Sequence, residues 1–291
     1  MKFKLRQFSV IFISISIILS GCYVPRPIVF DGSIALQHIE NQLSFGPRVP
    51  ESEGSEKVKS YIFENLASAG WIVERQEFNF DDTALTNIIA KSSINAPQLI
   101  LGTHFDTRSI SDKEGDAGRY ASPVPGANDG ASGTAVLLEM ARVLEDTNKE
   151  IWLLFFDAED QGRINNWEWS IGAEYFADNL SYQPESVVII DMIGDINLDI
   201  YKEIQSNQPL TQLIWEEAEQ LGYSSIFKNE QKYSLLDDHI PFINRGIPAS
   251  LIIDFDYLYW HTNDDTFDKV SAESLEIIGN VLTSWISNQY P

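Results

Sequence analysis

Five short apolar runs, separated by longer amphipathic stretches, constrain the fold of this chain more than any other feature. The runs are NIIA, QLILGTHFD, IWLLFFDAED, SVVIIDMIGD and IPASLIIDFD. Each has the length of a buried β-strand, and helical patterns such as ASGTAVLLEMARVL and LTQLIWEEAEQLG lie between them. The alternation predicts a single globular three-layer α/β/α domain, with a mixed sheet that is parallel at its centre and covered by helices on both faces.

Length and charge narrow the class of protein further. A chain of 291 residues with 44% hydrophobic content can bury the core of one large domain. It carries 43 acidic and 20 basic residues, a formal net charge of −23. Because so negative a chain repels phosphate backbones and anionic lipid surfaces, we expect no nucleic-acid partner.

The N-terminus has the layout of a secretory signal. Basic residues precede the apolar run VIFISISIIL, which is followed by LSGC. LSGC resembles a bacterial lipobox, in which the cysteine is lipidated, and Cys22 is the only cysteine of the chain. We predict a lipoprotein signal peptide over residues 1–22, a short tether over 23–31 and the folded domain over 32–291. The protein would then be an extracytoplasmic lipoprotein, anchored to a membrane of a bacterial cell envelope. An uncleaved anchor helix is the alternative, although the apolar run is short for a membrane span.

Charged and imidazole groups cluster where the predicted strands end. In open α/β sheets, ligands bind outside the carboxyl ends of the strands. The groups at those ends are His104, Asp106, Asp157, Glu159, Asp160, Asp191 and Asp254, and a glycine-rich turn before a helix adds Asp129. Each acid alone could cap a helix or a turn. Together they would repel one another unless a cation neutralised them, and zinc accepts both histidine and carboxylate ligands. The pattern therefore favours a zinc site.

The order of the motifs resembles that of zinc metallopeptidase family 28, which includes bacterial aminopeptidases and glutaminyl-peptide cyclotransferases. The motifs are HFD, GANDGASG, FFDAED, DMIGD, DDHIPF and WHTNDD, and the resemblance runs from about Gln42 to the C-terminus. It implies a zinc exopeptidase-like fold, with zinc held by Asp129, Asp160 and His261 and with Glu159 as the acid/base. Many members have glutamate where this chain has Asp160, so the backbone would have to come closer to the metal.

The resemblance leaves two enzyme activities open. Di-zinc aminopeptidases hold a second zinc through the equivalents of His104 and Asp191, with Asp129 bridging, and all of these residues are present here. The ligands alone therefore fit one zinc in a cyclase or two in an aminopeptidase. A non-enzymatic binding protein on the same fold is a third hypothesis, which the complete ligand set disfavours.

Two residues favour the cyclase. Trp260 directly precedes His261, and Asp237 stands where aminopeptidases more often carry serine. By this resemblance, peptide or protein N-termini are the substrates, and an N-terminal glutamine becomes pyroglutamate with release of ammonia. Glu159, Asp191 and Asp237 would be catalytic, while Trp260 and Trp167 would contact the substrate.

Two other segments receive supporting roles. We expect Arg108 and the insertion SISDKEGDAGRY to form a loop beside the cleft, where substrates are selected. His239, in DDHIPF, is expected to support the site without binding metal.

Overall fold

A computed structural model describes residues 29–115, 120–144 and 148–290. The predicted signal peptide with Cys22 lies outside the described residues. The strands are β1 (Ile72–Phe80), β2 (Thr83–Lys91), β3 (Leu99–His104), β4 (Ile151–Phe156), β5 (Ser186–Asp191), β6 (Ile200–Glu203), β7 (Phe227–Tyr233) and β8 (Ala249–Ile253). The helices are α1 (Gly32–Ser44), α2 (Glu53–Ser68), α3 (Ala131–Val143), α4 (Ile171–Asp178), α5 (Gln208–Gln220), α6 (Ile240–Asn244) and α7 (Ala272–Gln289).

Six strands form one mixed sheet in the order β1-β2-β4-β3-β5-β8. Strands β4, β3, β5 and β8 are mutually parallel, whereas β2 is antiparallel to β4 and pairs with β1 as an antiparallel hairpin. The predicted mixed sheet with a parallel centre is therefore confirmed. Strands β6 and β7 form a separate parallel pair. The apolar runs did not reveal β1, β6 or β7, because much of β1 and β7 is exposed and β6 is only four residues long.

Both faces of the central sheet are buried, which explains why its strands are continuous apolar runs. Successive side chains of a strand point to opposite faces. Leu101 of β3 and Leu153 of β4 accordingly pack in a core with α1, α2, α3, α5 and α7. Their neighbours Ile100 and Leu154 pack in a second core with α4 and α6. This arrangement confirms the predicted three-layer α/β/α architecture.

The folded domain includes residues that the sequence had assigned to the tether. Phe30 is buried, and its ring lies so close to Gly279 that a Cβ at that glycine would be 2.4 Å from it. Asp31 caps α1 by accepting a hydrogen bond from the Ser33 backbone N–H at 2.8 Å. Residues 30 and 31 thus belong to the domain.

In the part of the chain that the structure describes, no helix is long and apolar enough to cross a membrane.

Candidate active site

The residues predicted for the site meet at one edge of the sheet. His104 is the last residue of β3, and Asp191 is the last residue of β5. The loops after β4 and β8 carry Asp160 and His261, while Asp129 lies in the turn before α3. Because the parallel strands β4, β3, β5 and β8 end at the same edge, side chains from distant parts of the sequence converge there.

Two groups of side chains that could hold a metal ion share Asp129. In the first group, the His261 Nε2 lies 2.9 Å from the Asp160 Oδ1 and 3.8 Å from the Asp129 Oδ2. In the second, the His104 Nε2 lies 3.2 Å from the Asp129 Oδ1 and 3.1 Å from the Asp191 Oδ1. One carboxylate oxygen of Asp129 thus faces each group, which is the arrangement of a bridging ligand.

The first group fits a zinc ion. Its ligand atoms all lie within 4.8 Å of one another, and all three residues are buried. The Asp129 Oδ2 and the Asp160 Oδ2 have no hydrogen-bond partner among the described residues, while the Asp160 Oδ1 lies 2.9 Å from the His261 Nε2 and 3.6 Å from the Arg108 Nη1. Buried acceptors without donors are costly, so a cation bound between these carboxylates would stabilise them. Two carboxylates and an imidazole are ligands that zinc uses in proteins, with room left for a substrate.

Asp106 holds the turn that carries Glu159 and Asp160. Its carboxylate accepts hydrogen bonds from the backbone N–H of Glu159 at 3.0 Å and of Asp160 at 3.3 Å, and from the Gln161 amide at 3.0 Å. It also lies 3.4 Å from the His104 Nδ1. The sequence marked Asp106 as a strand-end acid but assigned it no role.

Asp265 performs the same task for the turn that carries Asp129. It accepts hydrogen bonds from the backbone N–H of Asn128 at 2.8 Å and of Asp129 at 3.1 Å. The Tyr257 hydroxyl donates to it at 2.7 Å. The last acid of WHTNDD therefore supports the turn of the candidate metal ligand Asp129, a role that the sequence pattern did not predict.

A cavity of about 310 Å³ lies over these acids. It is lined by all three catalytic candidates and by the candidate metal ligands Asp129, Asp160 and His261. The other lining residues are Arg163, Ser234, Met192, Leu235, Leu236, Ile253, Phe255, Trp169 and Trp260. The Trp260 ring centroid lies 3.9 Å from that of His261, and the Trp169 ring stacks on His261 at 5.9 Å. The lining thus combines five carboxylates with apolar and aromatic side chains, a common composition for a pocket that binds a small group.

The structure places Trp169, and not Trp167, in this cavity. Trp167 packs edge-on against Phe80 of the β1–β2 hairpin and lines a different pocket. The Trp169 ring packs directly against Gly162. A side chain at position 162 would collide with the ring, because its Cβ would lie 2.1 Å from a ring carbon. Between Gly162 and Trp169 the loop is irregular, and its residues 163, 165 and 166 have positive φ. Trp167, which the sequence predicted to contact the substrate, therefore lies outside this cavity, and Trp169 lines it instead.

Glu159 and Asp237, which are buried beside the two candidate metal sites, have higher pKa values than isolated carboxyl groups. Burial raises the pKa of Glu159 well above its usual value, and the nearby carboxylates of Asp238 and Asp237 add to that effect. Burial also raises the pKa of Asp237 well above normal, helped by Asp191 and Asp238. Groups with such shifts are typical of sites that transfer protons.

His239 belongs to neither candidate metal-binding group, and its Nε2 lies 3.2 Å from the Glu203 carboxylate.

Asp157 gives a prediction for stability against pH. It is buried directly after β4, and burial and the nearby Asp106 carboxylate raise its pKa to about 7. Since the folded state binds this proton more tightly than the unfolded chain, the stabilisation is present at low pH and is lost as pH rises through about 7. In Asp157→Asn, the difference in free energy of unfolding between about pH 5.5 and about pH 8.5 should shrink by about 2 kcal/mol. Urea denaturation of the zinc-loaded proteins measures this, and an unchanged difference would contradict it.

Comparison with known proteins agrees with this geometry. The Bacillus subtilis aminopeptidase YwaD is 26% identical over 281 residues, which cover 87% of this chain and 56% of that protein. The chain therefore spans little more than half the length of that relative. The glutaminyl-peptide cyclotransferase of Drosophila melanogaster is 26% identical over 279 residues, covering 80% of this chain and 75% of that protein.

The fold also matches a solved structure along almost its whole length. The structure of Bacteroides thetaiotaomicron glutaminyl cyclase bound to N-acetylhistamine superposes with a TM-score of 0.85 at 30% identity, covering 91% of this chain and 100% of that one. The model of Peptidase family M28 matches residues 87–286, which is more than half of the chain. With this match, the relatives and the assembled metal-binding groups, the chain belongs to peptidase family M28 and is a zinc-dependent enzyme.

Proposed function

We propose that this enzyme is a glutaminyl-peptide cyclotransferase, which converts the N-terminal glutamine of peptides or proteins to pyroglutamate and releases ammonia. One observation carries the proposal. Asp237 is buried in the same cavity as Glu159 and Asp191, under the aromatic walls of Trp169 and Trp260. Hydrolysis gives no evident role to this additional acid, whereas cyclisation moves a proton between two nitrogens and benefits from a group that orients them.

The shape of the cavity suits an intramolecular reaction. The α-amine of the substrate must reach the γ-amide carbon of the same residue, so the side chain has to fold back on itself. Holding reacting atoms in such a conformation can supply much of a rate enhancement. The aromatic rings of Trp260 and Trp169 offer flat apolar surfaces against which a folded glutamine side chain packs. The same walls limit access of water, which would compete with the amine.

The acidic residues that line the cavity would carry out the proton transfers of cyclisation. A zinc ion held by Asp129, Asp160 and His261 would polarise the γ-amide carbonyl as a Lewis acid. Glu159 accepts a proton from the α-amine as its nitrogen bonds to the γ-carbon. Glu159 returns that proton to the amide nitrogen, the old carbon–nitrogen bond breaks and ammonia leaves. The raised pKa of Glu159 suits a group that both accepts and donates. Asp191 and Asp237, which line the same cavity, would orient the nitrogens as an acid pair that shares a proton.

An aminopeptidase is the second candidate, and one observation favours it. His104, Asp129 and Asp191 form an assembled group that could hold a second metal ion. Glu159 would then remove a proton from an attacking water at a peptide carbonyl, and the enzyme would release N-terminal residues. In that case Asp191 would be a metal ligand and could not share a proton with Asp237. The third hypothesis, a non-enzymatic binding protein, is not retained, because the chain belongs to a family of enzymes.

The products distinguish the two reactions. We expect the zinc-loaded protein to convert a peptide that begins with glutamine into ammonia and the pyroglutamyl peptide, and to leave a matched peptide that begins with leucine intact. Mass spectrometry and an ammonia assay measure this. Asp237→Ser should lower cyclisation by roughly 10²-fold, the effect of losing one preorganised hydrogen-bonding group. Release of free glutamine or leucine would show that the enzyme hydrolyses peptide bonds and would contradict the proposal.

We further propose that the mature protein is anchored outside the cytoplasm through a lipid on Cys22. The support is the sequence of residues 1–22, with its basic start, apolar run and LSGC end. In a bacterial host, the protein should partition into detergent after processing at residue 22, and Cys22→Ala should not. A Cys22→Ala protein that still matures as a lipoprotein would refute the anchor.

A further inference from the structure

The zinc-binding candidate His261 makes a hydrogen bond through its other ring nitrogen. Its Nε2 faces the carboxylate oxygens of Asp160 and Asp129, while its Nδ1 lies 2.9 Å from the Asp112 Oδ1. Asp112 precedes His261 by 149 positions and belongs to the loop after β3. The loop after β3 also contacts the backbone of His261, because the Lys113 N–H donates to the His261 carbonyl oxygen at 3.3 Å.

Asp112 is itself held in place by Arg108. The Arg108 Nη2 donates to the Asp112 Oδ2 at 2.5 Å. The guanidinium is buried, and it also donates to the backbone carbonyls of Asp160 and Gly162, each at 3.1 Å. The Arg108 Cζ lies 5.0 Å from the centre of the Trp169 ring. Arg108 thus ties Asp112 to the backbone of a second metal ligand and to a wall of the cavity.

We propose that Asp112, fixed by Arg108, is a positioning residue for zinc binding by His261. A carboxylate on Nδ1 keeps the proton on that nitrogen, so that the Nε2 lone pair faces the metal position. It also fixes the plane of the ring and makes Nε2 a stronger ligand. The proposal concerns the metal site and not the choice between cyclisation and hydrolysis. Its failure and the failure of the proposed function are therefore distinguishable.

The burial of the three groups separates this contact from an ordinary surface ion pair. The side chains of His261 and Arg108 are each 2% exposed and that of Asp112 is 24% exposed. Exposed ion pairs contribute little to stability because water screens them. Here the ring nitrogen has a carboxylate partner in a largely buried setting. The corresponding contact at His104 is longer, with 3.4 Å between its Nδ1 and the Asp106 Oδ1.

Zinc affinity tests the proposal without reference to activity. We expect Asp112→Asn to weaken zinc binding by about 10- to 100-fold in competition with a chelator of known affinity, the range found when groups that orient metal ligands are replaced. The visible spectrum of the cobalt(II)-substituted protein should also change, because the ligand field depends on the orientation of the His261 ring. Asp256→Asn is the matched control, since Asp256 accepts from Lys232 at 2.6 Å and is 40% exposed. It should leave both readouts unchanged.

A graded series at the same position guards against variants that fold poorly. We expect zinc affinity to follow the order Asp112, then Asp112→Glu, then Asp112→Ala, because glutamate restores a carboxylate near the ring nitrogen. Thermal unfolding of the zinc-free proteins shows whether each variant is folded. If Asp112→Asn binds zinc as tightly as the unchanged protein, or if Asp112→Glu and Asp112→Ala lose the same affinity, the proposal is overturned.

Discussion

Glu159→Gln should lower turnover of a glutaminyl peptide by roughly 10²- to 10⁴-fold, the contribution of a positioned general acid/base. The glutamine side chain keeps the shape of the glutamate but cannot accept the proton of the α-amine or deliver it to the leaving nitrogen. Glu159 is 7% exposed and lines the cavity beside the metal-binding carboxylates. Its backbone N–H remains bonded to Asp106 at 3.0 Å, so the turn should keep its conformation in the variant.

Two controls make this result specific to proton transfer. Zinc per chain should stay the same in Glu159→Gln, because Glu159 belongs to neither group of metal-binding side chains. Glu168→Gln, an exposed position on the same loop, should retain full turnover. A Glu159→Gln protein that keeps more than a small fraction of the normal rate would show that another group moves the proton.

Removal of zinc has the second large expected effect. A Lewis acid at the reacting carbonyl stabilises the transition state by several kcal/mol, so a zinc-free protein should lose roughly 10³-fold or more in turnover. Dialysis against a chelator followed by a rate measurement checks this. Addition of zinc should restore the rate, whereas magnesium should not, because magnesium prefers octahedral oxygen coordination to a site containing imidazole. Full turnover in a protein shown to contain no metal would contradict this account of the site.

The elements that the sequence predicted are those with the simplest physical pattern. Strands β3, β4, β5 and β8 are buried on both faces and are therefore apolar throughout, which makes them visible without any structure. Strand β1 is an edge strand with only one buried residue, so its sequence IVERQEFNF has no comparable signal. The ends of the buried strands also located the metal-binding groups, because strand ends at one sheet edge must lie together.

The supporting contacts had no such signal in the sequence. Nothing in the spacing of Asp112 and His261 indicates that they meet, since the contact depends on how two loops fold over the sheet edge. The same is true of Asp265 and the turn at Asp129. The exchange of Trp167 for Trp169 depends on an irregular loop, in which residues 163, 165, 166 and 170 have positive φ, and the sequence pattern does not predict its path. Gly162 was the one available hint, because a glycine permits close approach of a large ring.

We propose that one zinc, held by Asp129, Asp160 and His261, supports cyclisation of N-terminal glutamine. The most direct measurement adds zinc in steps to the metal-free enzyme and follows ammonia release from a glutaminyl peptide and leucine release from a leucyl peptide in parallel. We predict that ammonia release reaches its maximum at one zinc per chain while leucine release stays at background. Leucine release that rises with a second zinc, without ammonia from the glutaminyl peptide, would contradict the account and identify a di-zinc aminopeptidase.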